Sequence, residues 1–266
     1  MNKFYIQIAL FILSIFAYAN NETLAAEPDP GNATTSNPNN CYSTPEEIYE
    51  ENKHLLCTDL NETINAGKFM NEAVLNLIYH VIYETGYKTF KTKYDNVMSG
   101  YKKKHGRTNI IKVYQSYDDP NMYDQLINSI WDPNILNIFN TGTVKIVRVY
   151  NPNLVMVQQR YKQDSKDRQK YFYALAKKVQ IADDATVIAM ASANINDFNP
   201  RNEEYKNAII ENAKLFKTNV SPEDDIINGK LKKVFVNITG YFIQKFRRRV
   251  DLAYIESVSD IQILIT

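Results

Sequence analysis

The sequence predicts an α+β domain in which helices gather against one strongly curved antiparallel sheet. Three observations carry this. Two amphipathic segments near the start have apolar residues at helical spacing. After residue 87 the period changes to two. The second half of the chain breaks into short β-branched and aromatic runs divided by Asn, Asp and Pro turns. The order is helices, three strands, helices, then six strands, and a sheet wrapped round a helix in this way makes a cavity.

From the N-terminus, Lys3 is followed by a nearly unbroken apolar run, Phe4 to Ala19, ending in Ala17-Tyr18-Ala19. This reads as a secretory signal peptide over 1–19, because the run is shorter than the roughly 20 residues a membrane span needs. Residues 20–41 carry Asn, Pro, Thr, Ser and Gly with little to bury, and read as a disordered spacer. The domain spans 42–266. It opens on a capping box, Thr44 with Glu47 three residues on and Pro45 at the first helical position, which predicts a helix over 45–56. Met70, Val74, Leu77, Ile78, Val81 and Ile82 set the face of a second helix, Ile64 to Tyr83.

Strands are expected at Tyr87 to Lys91 and Asn109 to Tyr117. Asp119-Pro120 begins a helix through Leu126 and Ile127 that Asp132-Pro133 stops. An antiparallel meander follows: Val144 to Tyr150, Leu154 to Gln163, Lys170 to Ile181 and Thr186 to Ala193. Glu203 to Phe216 is expected to be helical, and Ser221-Pro222-Glu223-Asp224 starts a further short helix. The last strands, Lys232 to Ile243 and Val250 to Ser257, meet across Gln244 to Arg249.

Composition removes several functions. With 31 basic and 30 acidic residues the net charge is +1, so no global field favours nucleic acid. Two cysteines and three histidines are too few for an ordinary zinc site, and no cofactor is indicated. Secretion makes Cys41 and Cys57 a disulfide candidate. Five glycosylation sequons, at Asn21, Asn32, Asn61, Asn219 and Asn237, are of the number that chance supplies in an Asn-rich chain. His54 and His80 fall within the two helices, and His105 is expected in a turn after three lysines, so none has a catalytic setting. No enzyme is expected. The basic clusters Lys102 to Arg107, Lys230 to Lys233 and Lys245 to Arg249 read as solvated loops or as transient contacts with an anionic membrane. Nineteen tyrosines beside only eight glycines call for a large aromatic interior.

Five segments carry a resemblance: Trp131-Asp132-Pro133, KIVRVYNPNLVM over 145–156, YFYALA over 171–176, AMASANIND over 189–197 and VNITGYFI over 236–243. Taken together they resemble the fam-a family of rodent malaria parasites, secreted proteins built on a START-like lipid-transfer domain. The likeness covers about 42–260. It implies a helix-grip fold, a hydrophobic tunnel for one phospholipid, phosphatidylcholine above all, a monomeric carrier, and a location in the parasitophorous vacuole or the host red cell.

A lipid tunnel must be apolar along the acyl chains, with a few fixed polar groups for the head. Strand alternation puts Ile146, Arg148 and Tyr150 on one face, and Leu154, Met156, Gln158 and Arg160 on one face of the next strand. On this reading Arg148 or Arg160 takes the phosphate and Tyr171 or Tyr173 meets the choline, while Trp131, Met156, Gln158 and Met190 complete the wall. The alternative keeps both arginines outside and the aromatics in an ordinary core. Two departures from the family pattern stand out. Only Ile261 to Thr266 follows Asp260, so the C-terminal lid helix of START-like domains is expected to be missing. Glu22 replaces the basic residue of the export-like element at Glu22-Thr23-Leu24. The competing function is accordingly an exported antigen, or a degenerate START-like protein without transfer activity.

Overall fold

The computed structural model describes residues 43–91, 98–135, 142–162, 168–201 and 204–259. The signal peptide, the spacer with Cys41, and the segment after Ser259, on which the expectation of a missing lid helix rests, lie outside the described residues. Helix α1 (Pro45–Asn52) has the expected capping box: Thr44 Oγ1 accepts from the Glu47 N–H at 3.2 Å, and Glu47 accepts from the Thr44 N–H at 2.7 Å. A 3₁₀ turn, Lys53–Leu55, completes the expected span. Helix α2 (Leu60–Ile82) starts earlier than its apolar stripe suggests, because Asp59 caps it by accepting from Asn61 and Glu62 N–H.

The strands are β1 (Lys88–Phe90), β2 (Met98–His105), β3 (Thr108–Tyr117), β4 (Gly142–Asn151), β5 (Leu154–Tyr161), β6 (Lys170–Ala182), β7 (Ala185–Ala191), β8 (Asn194–Asn196), β9 (Lys217–Asn219), β10 (Lys232–Lys233), β11 (Val236–Lys245) and β12 (Val250–Val258). Helix α3 (Met122–Trp131) precedes β4, and a single turn, α4 (Asp224–Ile227), precedes β10. The main sheet runs β1-β2-β3-β12-β11-β7-β6-β5-β4. The β4 to β7 meander is as expected, and the two terminal hairpins join through β12 and β3. All of these pairings are antiparallel, but β10 joins β6 in parallel and β8 pairs with β9 in parallel outside the main sheet.

Three expectations need correcting. Lys102 to His105 lie on β2, paired with Ile111 to Thr108, and the turn is Gly106-Arg107, with Gly106 at φ 56°. The helix expected over Glu203 to Phe216 does not form across its described residues, 204–216, where only Glu211–Leu215 makes a 3₁₀ turn. Asn207 Oδ1 accepts the N–H of Ile209 and Ile210, and the Glu72 carboxylate of α2 accepts those of Glu211 and Asn212, so side chains take the donors that a longer helix would use. Lys233 is not solvated: its ammonium lies 3.0 Å from the buried carboxylate of Asp197. The sequon at Asn237 is also internal: its side-chain oxygen accepts from the Tyr205 hydroxyl and the Ala208 N–H, and its backbone carbonyl accepts from the Asn207 amide.

The sheet is covered on both faces. On one, which we call the helix face, Phe69, Met70, Leu77 and Ile78 of α2 are fully buried, each contributing roughly 1.5–3 kcal/mol. Leu77 packs where Gly240 of β11 leaves no side chain. Residues 192–201 and 204–235 extend this layer, with Phe216 stacked on Phe69. The other face carries α3, whose Tyr123, Leu126, Ile127 and Trp131 share a cluster with Ile48 of α1 and with Val155, Ile188, Tyr241 and Tyr254 of the sheet.

Candidate ligand-binding site

A cavity of about 70 Å³ lies between the sheet and the C-terminal end of α3. Trp131 and Ile130 close one side, and the sheet supplies Val155, Val157, Phe172, Ile188 and Met190. Each sheet residue points there because the side chains of one strand alternate between faces: 155, 157, 159 and 161 of β5 face the cavity, as do 254, 256 and 258 of β12.

One part of the wall is polar. Thr239 Oγ1 donates to the Ile255 carbonyl at 3.0 Å and lies 3.2 Å from the Tyr254 hydroxyl. Tyr254 in turn donates to the Glu256 carboxylate. Gln159, Tyr161 and Asp132 complete this part. Asp132 is already engaged, accepting from Ser43 and Asn134 N–H. Glu256 has the Tyr254 hydroxyl as its donor; burial pushes its carboxyl up to about 7, opposed by that hydrogen bond. Burial, then the nearby Glu256 charge, raises the Tyr161 phenol as well.

This carboxyl makes stability depend on pH. In the unfolded chain it titrates at its ordinary 4.5, in the folded protein at about 7. Between those values the folded state keeps a proton that the unfolded state has lost, so stability falls as pH rises through the window and levels off above it. The loss is on the order of 3 kcal/mol. Urea midpoints at pH 5 and pH 8 are expected to differ accordingly, and Glu256→Gln is expected to flatten the difference. An unchanged slope in the variant would place the titration elsewhere.

Of the residues expected on the wall, Trp131 and Met190 line the cavity. Arg148, Met156, Gln158, Arg160, Tyr171 and Tyr173 do not, and the structure places them on the helix face. Arg148 donates to Glu62 Oε1 at 2.6 Å and to the Asn219 carbonyl at 2.9 Å, and Tyr150 shares Glu62. Arg160 holds Asp225 with two bonds of 2.6 and 3.0 Å and reaches Glu223 at 3.1 Å. Gln158 donates to Tyr173 and Glu223, and Tyr171 donates to Asp197. Both arginines therefore have internal carboxylate partners and hold the 204–235 part of the layer to the sheet.

The phase was misjudged for two reasons. A bulge between Ile146 and Arg148 reverses the alternation within β4. Strands β5 and β6 are buried on both faces, so Leu154 and Met156 look no more apolar than Val155 and Val157. Glu256, Tyr254, Tyr161, Gln159 and Phe172 were missed, although Glu256 is the one acidic residue within the apolar stretch 252–258 and was readable as such. Cys57 is half-buried, its N–H bonded to the Val149 carbonyl at 2.7 Å and its thiol 3.6 Å from the Asp59 carbonyl. His80 is buried, its Nδ1 3.1 Å from the Tyr87 hydroxyl; burial, then the charges of Lys103, His105 and Lys112, lowers its pKa to about 4.

No family model and no curated protein matches the chain. Among solved structures it is similar to human StAR-related lipid transfer protein 5, at 11% identity over 75% of this chain and 84% of that one, with a TM-score of 0.51. Human STARD10 superposes at 12% identity over 70% of this chain and 65% of that one, with a TM-score of 0.41. The lipid transfer and protein localization domain of human StarD13 (DLC2) does so at 10% over 69% and 79%, also with a TM-score of 0.41. At such identities the first likeness bears on architecture alone. On that ground, and on a curved antiparallel sheet that carries helices and a cavity, the chain has a START-like fold.

Proposed function

We propose that the chain is a non-enzymatic lipid-binding and lipid-transfer protein that holds one lipid between the sheet and α3. The observation that carries this reading is the cavity itself: apolar over most of its wall, polar at one part, and placed under a single short helix in a START-like fold. A volume of about 70 Å³ is well below the roughly 300–1,000 Å³ of ordinary ligand pockets, so cargo enters only if the wall moves outward. Helix α3 is the element to move, since it crosses this face as ten residues tied by the Tyr123 to Thr186 hydroxyl contact at 2.9 Å and by apolar packing.

Phosphatidylcholine is the cargo the family resemblance implies. Membrane contact is assigned to the turn after β11, where Phe246 is 44% exposed between Lys245 and the exposed Arg247 and Arg248. The apolar N-terminal run supports secretion, and the resemblance supports the vacuole or the host cell as destination. The narrow cavity favours one competing reading, a secreted antigen that keeps the fold without cargo. A vesicle assay separates the two. Fluorescent phosphatidylcholine or another labelled lipid is expected to move from donor to acceptor vesicles well above the protein-free rate. Folded protein that moves no lipid would leave the antigen reading.

A further inference from the structure

The cavity has a polarity that the expected cargo does not match. Among its described lining residues there are two carboxylic acids, Asp132 and Glu256, and neither Lys nor Arg. Lys178, whose ammonium lies 6.0 Å from the centre of the Trp131 ring, is not part of the wall. The arginines that might have met a phosphate are bound to Glu62, Glu223 and Asp225 on the opposite face. A phosphodiester drawn into this space would be an unpaired anion beside a carboxyl group in a medium of low dielectric. Phospholipid ammonium groups bring that phosphate with them, a few bonds away.

Glu256 has unused capacity. A carboxyl group offers about four acceptor sites, and among the described residues its one hydrogen-bond donor is Tyr254. The Tyr161 hydroxyl, also on the wall, has no hydrogen-bond partner among the described residues. An acceptor and a donor are thus presented together to an otherwise apolar space, which is the complement of a hydroxyl or an amide rather than of an ion. Leaving such groups unsatisfied costs about 1–3 kcal/mol each, so a ligand that pairs with them is favoured over a purely apolar one.

We propose that Glu256, oriented by Tyr254 and Thr239, is the head-group selector of the cavity, and that the cargo is a phosphate-free lipid whose buried polar end is a hydroxyl or amide N–H. This rests on the lipid-carrier reading above and narrows it. The donor of the lipid bonds to the Glu256 carboxyl, and Tyr161 donates to the same polar end. Diacylglycerols, ceramides and sterols share this chemistry.

The test uses the full chain with donor vesicles carrying, in separate arms, fluorescent ceramide, diacylglycerol, sterol or phosphatidylcholine. At least one hydroxyl-bearing lipid is expected to move about tenfold faster than phosphatidylcholine. Glu256→Leu removes the acceptor and is expected to bring that ratio close to one, whereas Glu256→Gln, which keeps a carbonyl acceptor, is expected to restore most of it. Phosphatidylcholine moving fastest would overturn the selector and leave the carrier standing. So would a preference for hydroxyl lipids that survives Glu256→Leu. Folded protein that moves none of the four lipids would overturn both.

Discussion

Gly240→Ala is expected to lower the melting temperature by roughly 10 °C or to prevent folding altogether. Gly240 lies in β11, between β7 and β12, at φ +151°, a backbone conformation that side chains disfavour. A Cβ built there would stand 2.1 Å from the Ile188 carbonyl oxygen, 2.6 Å from Leu77 Cδ1 and 2.9 Å from Ala189 Cα. Two of the three obstacles are backbone of the neighbouring strand, so no rotamer change relieves them. Strain of about 1–3 kcal/mol adds to overpacking of about 1–3 kcal/mol, a large part of the 5–15 kcal/mol by which domains are ordinarily stable. In a domain of this size each kcal/mol corresponds to about 2–4 °C. Leu77→Ala in the same chain removes one obstacle and leaves the backbone ones, so it is not expected to rescue the fold. A Gly240→Ala protein that melts within 2 or 3 °C of the parent would mean that β11 and α2 are less closely apposed than described.

That glycine shows where sequence reasoning stops. Local chemistry was legible wherever it was self-contained. Thr44, Pro45 and Glu47 announced a helix start, the spacing from Met70 to Ile82 announced a buried face, and Asn-Pro-Asn between Tyr150 and Leu154 announced a tight turn. What stayed hidden depends on contacts between distant residues. The end of the expected 203–216 helix is decided by Glu72, some 140 positions away. The cavity face of β5 depends on which of two equally apolar faces meets α2 and which meets α3. The arginines illustrate the same limit: a lone Arg148 or Arg160 in an apolar strand demands a partner, but the strand does not say whether that partner is Glu62, Asp225 or a ligand. Glu256 is the opposite case. Its isolation in an apolar terminal strand was visible, and only its position opposite α3 turns that isolation into a site.

Lys233→Met is expected to cost about 3–5 kcal/mol, the penalty for leaving a buried carboxylate without its cation. Lys233 Nζ lies 3.0 Å from Asp197 Oδ2 and 2.7 Å from the Ile195 carbonyl, and Asp197 is 0% exposed. Burial lowers the Lys233 pKa, which the Asp197 charge and hydrogen bond oppose. Tyr171 donates to the same carboxylate and accepts from Asn199, so the pair anchors the loop after β8 to β6 at the place where β10 adds its short parallel strand. With the ammonium gone, Asp197 must either stay charged with fewer donors or take up a proton. Asp197→Asn in the Lys233→Met chain removes the stranded charge and is expected to recover part of the loss, and the two single variants with the double one measure the coupling directly. Urea unfolding followed by far-UV circular dichroism reads all three. A Lys233→Met midpoint equal to that of the parent would mean that solvent already reaches Asp197. A double variant no better than Lys233→Met would mean that the lysine acts through packing on Tyr173 and Phe235, whose rings lie 5.9 and 5.6 Å from its ammonium, rather than through charge. Because this pair lies on the helix face, away from Glu256, its loss is expected to weaken the fold without changing which lipid the cavity prefers.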